Sequence, residues 1–152
     1  MDIQRLLKKR QLNVQEQNAL DAYRLEREAR AWRNEGVPVA LMDYAQAQGV
    51  DWTATVVLQL QVDFPGMPSL FGMLLTQDER FIEFEIDTDP AHQRVESLEC
   101  WQDVSDTLNH STRNRGTGQG FAAIAKQVRR QVLGSLAQHC SAPVTPSGRR
   151  AP

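Results

Sequence analysis

The sequence predicts an α+β domain in which N-terminal helices precede a four-stranded antiparallel β-meander, and a C-terminal amphipathic helix packs on the sheet. Two observations carry this prediction: apolar residues recur at helical spacing near both ends of the chain, and they alternate with polar residues in the middle. The connections between the predicted strands are of hairpin length, which favours an antiparallel sheet over an α/β fold. The 152 residues are expected to form one domain over residues 1–140, followed by a disordered tail at 141–152 that contains three prolines.

The N-terminal part, residues 1–48, predicts three helices. Helical spacing around Leu6 indicates a short first helix, and a longer second helix runs from about Gln15 to Glu35. A third, short helix begins at Pro38, which suits a first helical turn, and ends at Gly49. The apolar stripe of the second helix consists of Ala22, Leu25, Ala29 and Trp32. Its arginines are interpreted as a solvated face: Arg24, Arg27, Arg30 and Arg33.

The sheet is predicted between residues 52 and 104, and its first strand is the clearest signal in the chain. Seven apolar residues occupy every second position of that strand: Trp52, Ala54, Val56, Leu58, Leu60, Val62 and Phe64. Because side chains alternate across a strand, these residues are expected to form one buried face. Further strands are predicted at 70–76, 81–87 and 94–104, followed by a glycine-rich loop at 105–120 and a helix at 121–138. The N-terminal helices and this last helix are expected to cover the same face of the sheet.

Charge divides the chain sharply, although the whole chain carries only −2. Residues 76–106 hold ten acids and two bases, a net charge of −8, whereas residues 107–152 hold seven bases and no acid, a net charge of +7. Such asymmetry bears on the partners of a protein more than on its fold.

The acidic outer face of the sheet is the main candidate for a contact surface. Alternation places Glu83, Glu85 and Asp87 outward on the third strand, and the fourth strand is expected to add residues to the same surface. The predicted surface consists of Glu83, Glu85, Asp87, Glu99, Trp101 and Asp103. One interpretation is that these charges keep the protein soluble and protect a sheet edge. The other is that they bind a basic protein, with Trp101 as the anchor of the contact.

A glycine-rich stretch before the last helix is a second candidate. Backbone N–H groups at a helix N-terminus, with two arginines nearby, are suited to holding an anion. The residues concerned are Arg113, Arg115, Gly116 and Gly118. The glycine spacing does not match the dinucleotide fingerprint, and no phosphate-loop lysine follows, so a plain flexible connection is the alternative.

No motif predicts catalysis, a metal or a cofactor. Cys100 is expected on an apolar face with Leu98 and beside Glu99, a setting that favours a packed, unreactive thiol over a nucleophile for which His110 would be the base. The histidines show no metal-ligand spacing: His92, His110 and His139. The sequence therefore predicts a protein that is not an enzyme.

The functional expectation is a binding module in the cytoplasm. The two sparse cysteines fit a reducing compartment, and the N-terminus has no apolar segment of signal-peptide length. No apolar run approaches membrane-spanning length, so no membrane association is expected. By its size and charge the chain fits an immunity protein or antitoxin that neutralises a basic toxin. The alternative is a nucleic-acid or phospholigand binder acting through the glycine-rich loop and the basic C-terminal helix. An acidic sheet repels phosphates, so nucleic acid is the less favoured partner.

Overall fold

The computed structural model describes residues 1–63, 66, 68–110 and 120–140, and it confirms the predicted α+β fold. The helices are α1 (Ile3–Leu7), α2 (Val14–Glu35), α3 (Val39–Ala47), α4 (Ser105–His110) and α5 (Phe121–Cys140). The strands are β1 (Val56–Asp63), β2 (Ser69–Leu75), β3 (Phe81–Asp89) and β4 (Arg94–Asp103). They form one antiparallel sheet in the order β1-β2-β3-β4.

The long helix α2 begins and ends at residues suited to those positions. The side chain of Asn13 accepts a hydrogen bond from the Glu16 backbone N–H, and the Glu16 carboxylate accepts one from the Asn13 N–H, which makes a capping box. At the other end Gly36 has φ = 84°, a conformation that costs glycine little. Between these ends Ala22, Leu25 and Ala29 of the predicted stripe pack together in one core cluster, with Ala29 fully buried, whereas Trp32 packs against the other cluster, which contains Leu41 of α3.

The sheet is covered on both faces, and this differs from the prediction that all helices share one face. Helices α2 and α5 cover one face, which we call the helix-pair face, where Ala29 and Val128 pack against Val56, Leu75 and Phe81. Helix α3 covers the opposite face, the α3 face. Its buried core consists of Leu41, Ala45, Val50, Val57, Leu60, Leu70, Leu74, Ile82, Phe84 and Ile86. The prediction was therefore correct for α2 and α5 and wrong for α3.

The even-numbered residues of the first strand do not all lie on one face, because a β-bulge interrupts the alternation of its side chains. Val57 pairs with Leu74, but the next paired residue is Gln59, opposite Met73, so Leu58 is the extra residue. Val57, predicted to point outward, is buried on the α3 face, whereas Leu58 is buried on the helix-pair face. Beyond the bulge the even-numbered residues lie on the opposite face: Val56 and Leu58 are on the helix-pair face, but Leu60 is on the α3 face.

The fourth strand contains two further irregularities. They overturn the prediction from simple alternation that Leu98 and Cys100 share one face while Glu99 and Trp101 share the other. Cys100 pairs with Glu85 and Leu98 pairs with Ile86, so Glu99 is an extra residue. A second irregularity follows between the pairs that Asp87 and Thr88 form. The apolar residues of β4 that share the α3 face are thus three apart: Val95, Leu98 and Trp101.

The segment between β4 and α5 was predicted as a loop over residues 105–120, but its first six residues form α4. Val104 joins the helix-pair core, and its N–H donates to the Phe81 carbonyl. The Ser105 hydroxyl accepts a hydrogen bond from the Phe81 N–H and donates to Asp103. These contacts start a helix at the end of the strand, where the sequence has no strong periodicity.

The turn that leads into β1 is held by two arginines that come from different helices. Arg33 of α2 donates to the backbone oxygens of Trp52 and Thr53, at 3.3 and 3.0 Å. Arg129 of α5 donates to the backbone oxygens of Ala54, at 2.9 Å, and of Gln77, at 3.3 Å. Three consecutive carbonyl groups are thus bonded to guanidinium groups, and Arg33 is not the solvated residue that the sequence predicted.

Candidate binding surface

Part of the helix-pair face lies beyond the reach of the two helices. One row of this face, Val56, Leu75 and Phe81, is buried under α2 and α5. Three further rows, defined by the strand register, leave most of their side chains half-buried or exposed. We call these rows the open sheet face: Gln59, Met73, Glu83 and Gln102; Gln61, Phe71, Glu85 and Cys100; Asp63, Ser69, Asp87 and Ser97.

The β3 carboxylates of the open sheet face lack an ion-pair partner among the residues that the structure describes. Glu83 and Glu85 are exposed and Asp87 is half-buried, and none of them forms an ion pair within the part of the chain that the structure describes. Asp87 instead accepts a hydrogen bond from the Ser97 hydroxyl at 2.8 Å. Carboxylates at alternate strand positions stand about 7 Å apart, and at that distance two like charges in water repel by about 0.6 kcal/mol. The row is therefore a source of negative potential that no ion pair within residues 1–63, 66, 68–110 and 120–140 neutralises.

Beside this acidic row, the surface is concave and partly apolar. A groove of about 220 Å³ is lined by Phe71, Met73 and Gln59 on one side and by Glu83, Glu85 and Cys100 on the other. A second groove, of about 440 Å³, lies between the sheet and α2 and shares Gln59 and Met73 with the first. Its outer wall consists of Arg24, Leu25 and Glu28 of α2 together with Phe121 of α5. The two grooves form one depression across β1, β2 and β3.

The structure brings together only part of the predicted contact surface. Glu83, Glu85 and Asp87 share the open sheet face as predicted, but Trp101 and Asp103 pair with Phe84 and Ile82 on the α3 face. Glu99 is the extra residue of a β4 bulge and is exposed. The prediction that these fourth-strand residues lie beside the β3 acids was wrong for Trp101 and Asp103, because it assumed a strand without bulges.

Trp101 is a packing residue in this fold. Its ring lies 5.1 Å from the ring of Tyr44, edge to face, and 6.1 Å from that of Phe84. Tyr44 belongs to α3, so Trp101 helps to attach that helix to the sheet. This contact leaves Phe71 and Met73 as the apolar side chains next to the acids.

Cys100 occupies a setting that suppresses its reactivity. It lies on the open sheet face opposite Glu85, and not on an apolar face with Leu98 as the sequence suggested. Partial burial raises the pKa of the thiol, and the charges of Glu83 and Glu85 raise it further. A nucleophilic thiolate needs the opposite, an electropositive neighbourhood. Within the described ranges, no group of three or more His, Cys, Asp or Glu side chains is placed to hold a metal ion.

The second predicted site lies outside the described residues. Arg113, Arg115, Gly116 and Gly118 fall in the range 111–119, as the predicted tail falls in 141–152. The basic residues of α5 that the structure does describe have partners within the protein. Lys126 donates to Asn109, Arg129 to backbone carbonyls, and Arg130 lies 3.8 Å from Glu79.

Sequence reasoning missed several residues of the open sheet face, namely Gln59, Gln61, Asp63, Phe71 and Met73. The signal that was available is Gly72, a glycine inside an otherwise apolar strand, which often marks a bulge or a close approach of two backbones. A Cβ atom at Gly72 would overlap the Gln59 carbonyl, so the absence of a side chain at Gly72 leaves room for the backbone of the β1 bulge.

Comparison of the chain with protein-family models, with curated proteins and with solved structures found no match. Among the described helices, none is long and apolar enough to cross a membrane.

Proposed function

We propose that this protein is a non-catalytic binding module that holds a basic polypeptide on the open sheet face. The observation that carries the proposal is the row Glu83, Glu85 and Asp87, three acids that form no ion pair with any described residue and that border a depression containing Phe71 and Met73. Unpaired charges of one sign steer a partner of the opposite sign and exclude others. Apolar surface beside them supplies the part of the affinity that salt does not screen.

The more specific form of the proposal is an inhibitor of a basic toxin, as an immunity protein or antitoxin would be. The small size and the concentration of acids in residues 76–106 support it. A sheet face that presents both acids and apolar side chains is suited to covering a basic surface on another folded protein.

A defined peptide tests the general proposal. We expect a fluorescently labelled peptide of alternating lysine and valine to bind the protein, and an acidic peptide of the same design not to bind. The double variant Glu83→Lys with Glu85→Lys should have an affinity for the basic peptide at least tenfold lower than that of the unmodified protein, measured by fluorescence anisotropy. The affinity of the unmodified protein should also fall as salt is raised.

The matched control separates the site from the net charge. Glu35→Lys combined with Asp43→Lys changes the charge by the same amount at two exposed acids, on α2 and α3, that form no ion pair among the described residues. This control should bind the basic peptide within about twofold of the unmodified protein. If both double variants weaken binding equally, the peptide responds to overall charge and the open sheet face is not the site.

The inhibitor form is tested with the native partner. Cell extract is passed over three immobilised proteins: the unmodified protein, the double variant Glu83→Lys with Glu85→Lys, and the control. The unmodified protein and the control should retain a basic protein that the Glu83→Lys, Glu85→Lys variant does not retain. The purified partner should then lose its activity when the unmodified protein is added in equal amount. Recovery of nucleic acid in place of a protein would support the alternative that the sequence left open.

A further inference from the structure

A second depression lies on another part of the molecule, between the end of α2, the start of α3 and the turn that leads into β1. Its volume is about 460 Å³, within the range of small-molecule sites. We call it the tryptophan pocket, and its principal lining residues are Trp32, Arg33, Val37, Met42, Trp52 and Val57. None of these residues belongs to the open sheet face, so this pocket is independent of the proposed protein contact.

The two tryptophans that line the pocket are held in place by their indole N–H groups. Trp32 donates to the Glu28 carboxylate at 2.9 Å, and Trp52 donates to the Met42 carbonyl at 3.0 Å. Both side chains are only partly buried. Because their polar atoms already have partners, what the rings contribute to the pocket is apolar surface.

Arg33 is the charged residue among those named as lining this pocket, and it forms no ion pair with a described residue. Its terminal nitrogens donate to the Trp52 and Thr53 carbonyls, while its Nε–H is buried without an acceptor. No carboxylate of the described residues lies within ion-pairing distance of the guanidinium. Burial lowers the pKa of Arg33, and no neighbouring negative charge opposes this effect. A guanidinium has five N–H donors, so this side chain retains donors that the fold does not use.

We propose that the tryptophan pocket binds a small apolar molecule that carries a carboxylate. The apolar part lies between Trp32 and Trp52, and the carboxylate accepts hydrogen bonds from the terminal nitrogens of Arg33. Two features select this chemistry. The walls are apolar apart from a few polar groups, which is typical of ligand sites. A partly buried cation that has no counter-ion in the described part of the chain favours a negatively charged ligand.

The probe is decanoate, kept below its micelle concentration, with 1-decanol as the uncharged counterpart of the same chain length. Two of the three tryptophans of the chain line the pocket, so binding is followed by tryptophan fluorescence. We expect decanoate to bind at least tenfold more tightly than decanol and to raise the melting temperature, since a ligand stabilises the state that binds it.

Two variants and a control define the site. Arg33→Gln should bring the affinity for decanoate down to that for decanol, whereas Val37→Trp, which fills the pocket at a partly exposed residue, should abolish binding of both. Arg27→Gln removes an exposed arginine from the same helix and should leave both affinities unchanged.

The proposal is overturned if the unmodified protein binds the two probes equally well or binds neither. It is also overturned if Arg27→Gln reduces decanoate binding as much as Arg33→Gln, or if Val37→Trp leaves binding intact. Because Arg33 also supports the turn before β1, the fold of Arg33→Gln is checked by circular dichroism. Should that variant unfold, the comparison of decanoate with decanol and the Val37→Trp variant decide the question by themselves.

Discussion

Replacing Gly72 by alanine tests the local geometry that shapes the open sheet face. A Cβ at this position would lie 2.8 Å from the Gln59 carbonyl carbon and 3.0 Å from the Leu60 Cα, and both are backbone atoms of β1 that cannot rotate away. The two strands must separate, or the bulge must move, to admit one methyl group. Forced overpacking of this kind costs about 1–3 kcal/mol. For a domain of this size that loss corresponds to a fall in melting temperature of about 2–12 °C.

Gly134 provides the matched control for this substitution. It lies exposed within α5, and a Cβ there would have no atom within 4 Å. Gly134→Ala should therefore stabilise the protein by about 0.5–1 kcal/mol, the ordinary gain from alanine in a helix. Thermal and urea unfolding followed by circular dichroism measure both changes. If Gly72→Ala is as stable as the unmodified protein, the β1 bulge is not where the structure has it, and Gln59 does not face the grooves.

Two further predictions concern side chains whose roles the structure reassigns. Val57→Asp and Leu58→Asp should both unfold the domain, since each places a charge in a buried cluster. Gln59→Asp should change the free energy of unfolding by less than about 0.5 kcal/mol. A folded Val57→Asp variant would indicate that β1 alternates without a bulge. Trp101→Ala should lower the stability by at least about 1 kcal/mol through loss of its ring contacts with Tyr44 and Phe84, and should leave binding of the lysine–valine peptide unchanged. If Trp101→Ala binds the peptide more weakly but is as stable as the unmodified protein, Trp101 belongs to the contact surface after all.

The type and order of the main elements could be read from the sequence because periodicity reports directly which side chains are buried. The bulges could not be read in the same way, because each inserts one residue and exchanges the two faces of all that follows. In β4 the apolar residues Val95, Leu98 and Trp101 are three apart, a spacing that fits neither a plain strand nor a long helix. Two irregularities in one strand explain it.

The same holds for the candidate sites: residues placed by alternation within one strand could be predicted, whereas residues whose partners lie far along the chain could not. Glu83, Glu85 and Asp87 were assigned to one face correctly because β3 pairs with β2 without a bulge. The role of Arg33 was missed because its partners, the carbonyls of Trp52 and Thr53, lie 19 and 20 residues along the chain. In the sequence it is one of several arginines on a helix, and nothing local distinguishes it from Arg30.

The position of α5 has a consequence for the protein while it is being synthesised. The helix-pair face needs α5 to cover Val56, Leu75 and Phe81, yet β4 ends at Asp103 and α5 is complete only at Cys140. At about 5–20 residues per second, the ribosome takes roughly 2–7 s to add the intervening stretch. During that interval a nascent chain that already contains all four strands has only α2 to cover this apolar surface. The newly made sheet is therefore more exposed to aggregation before α5 emerges than after α5 has packed on it.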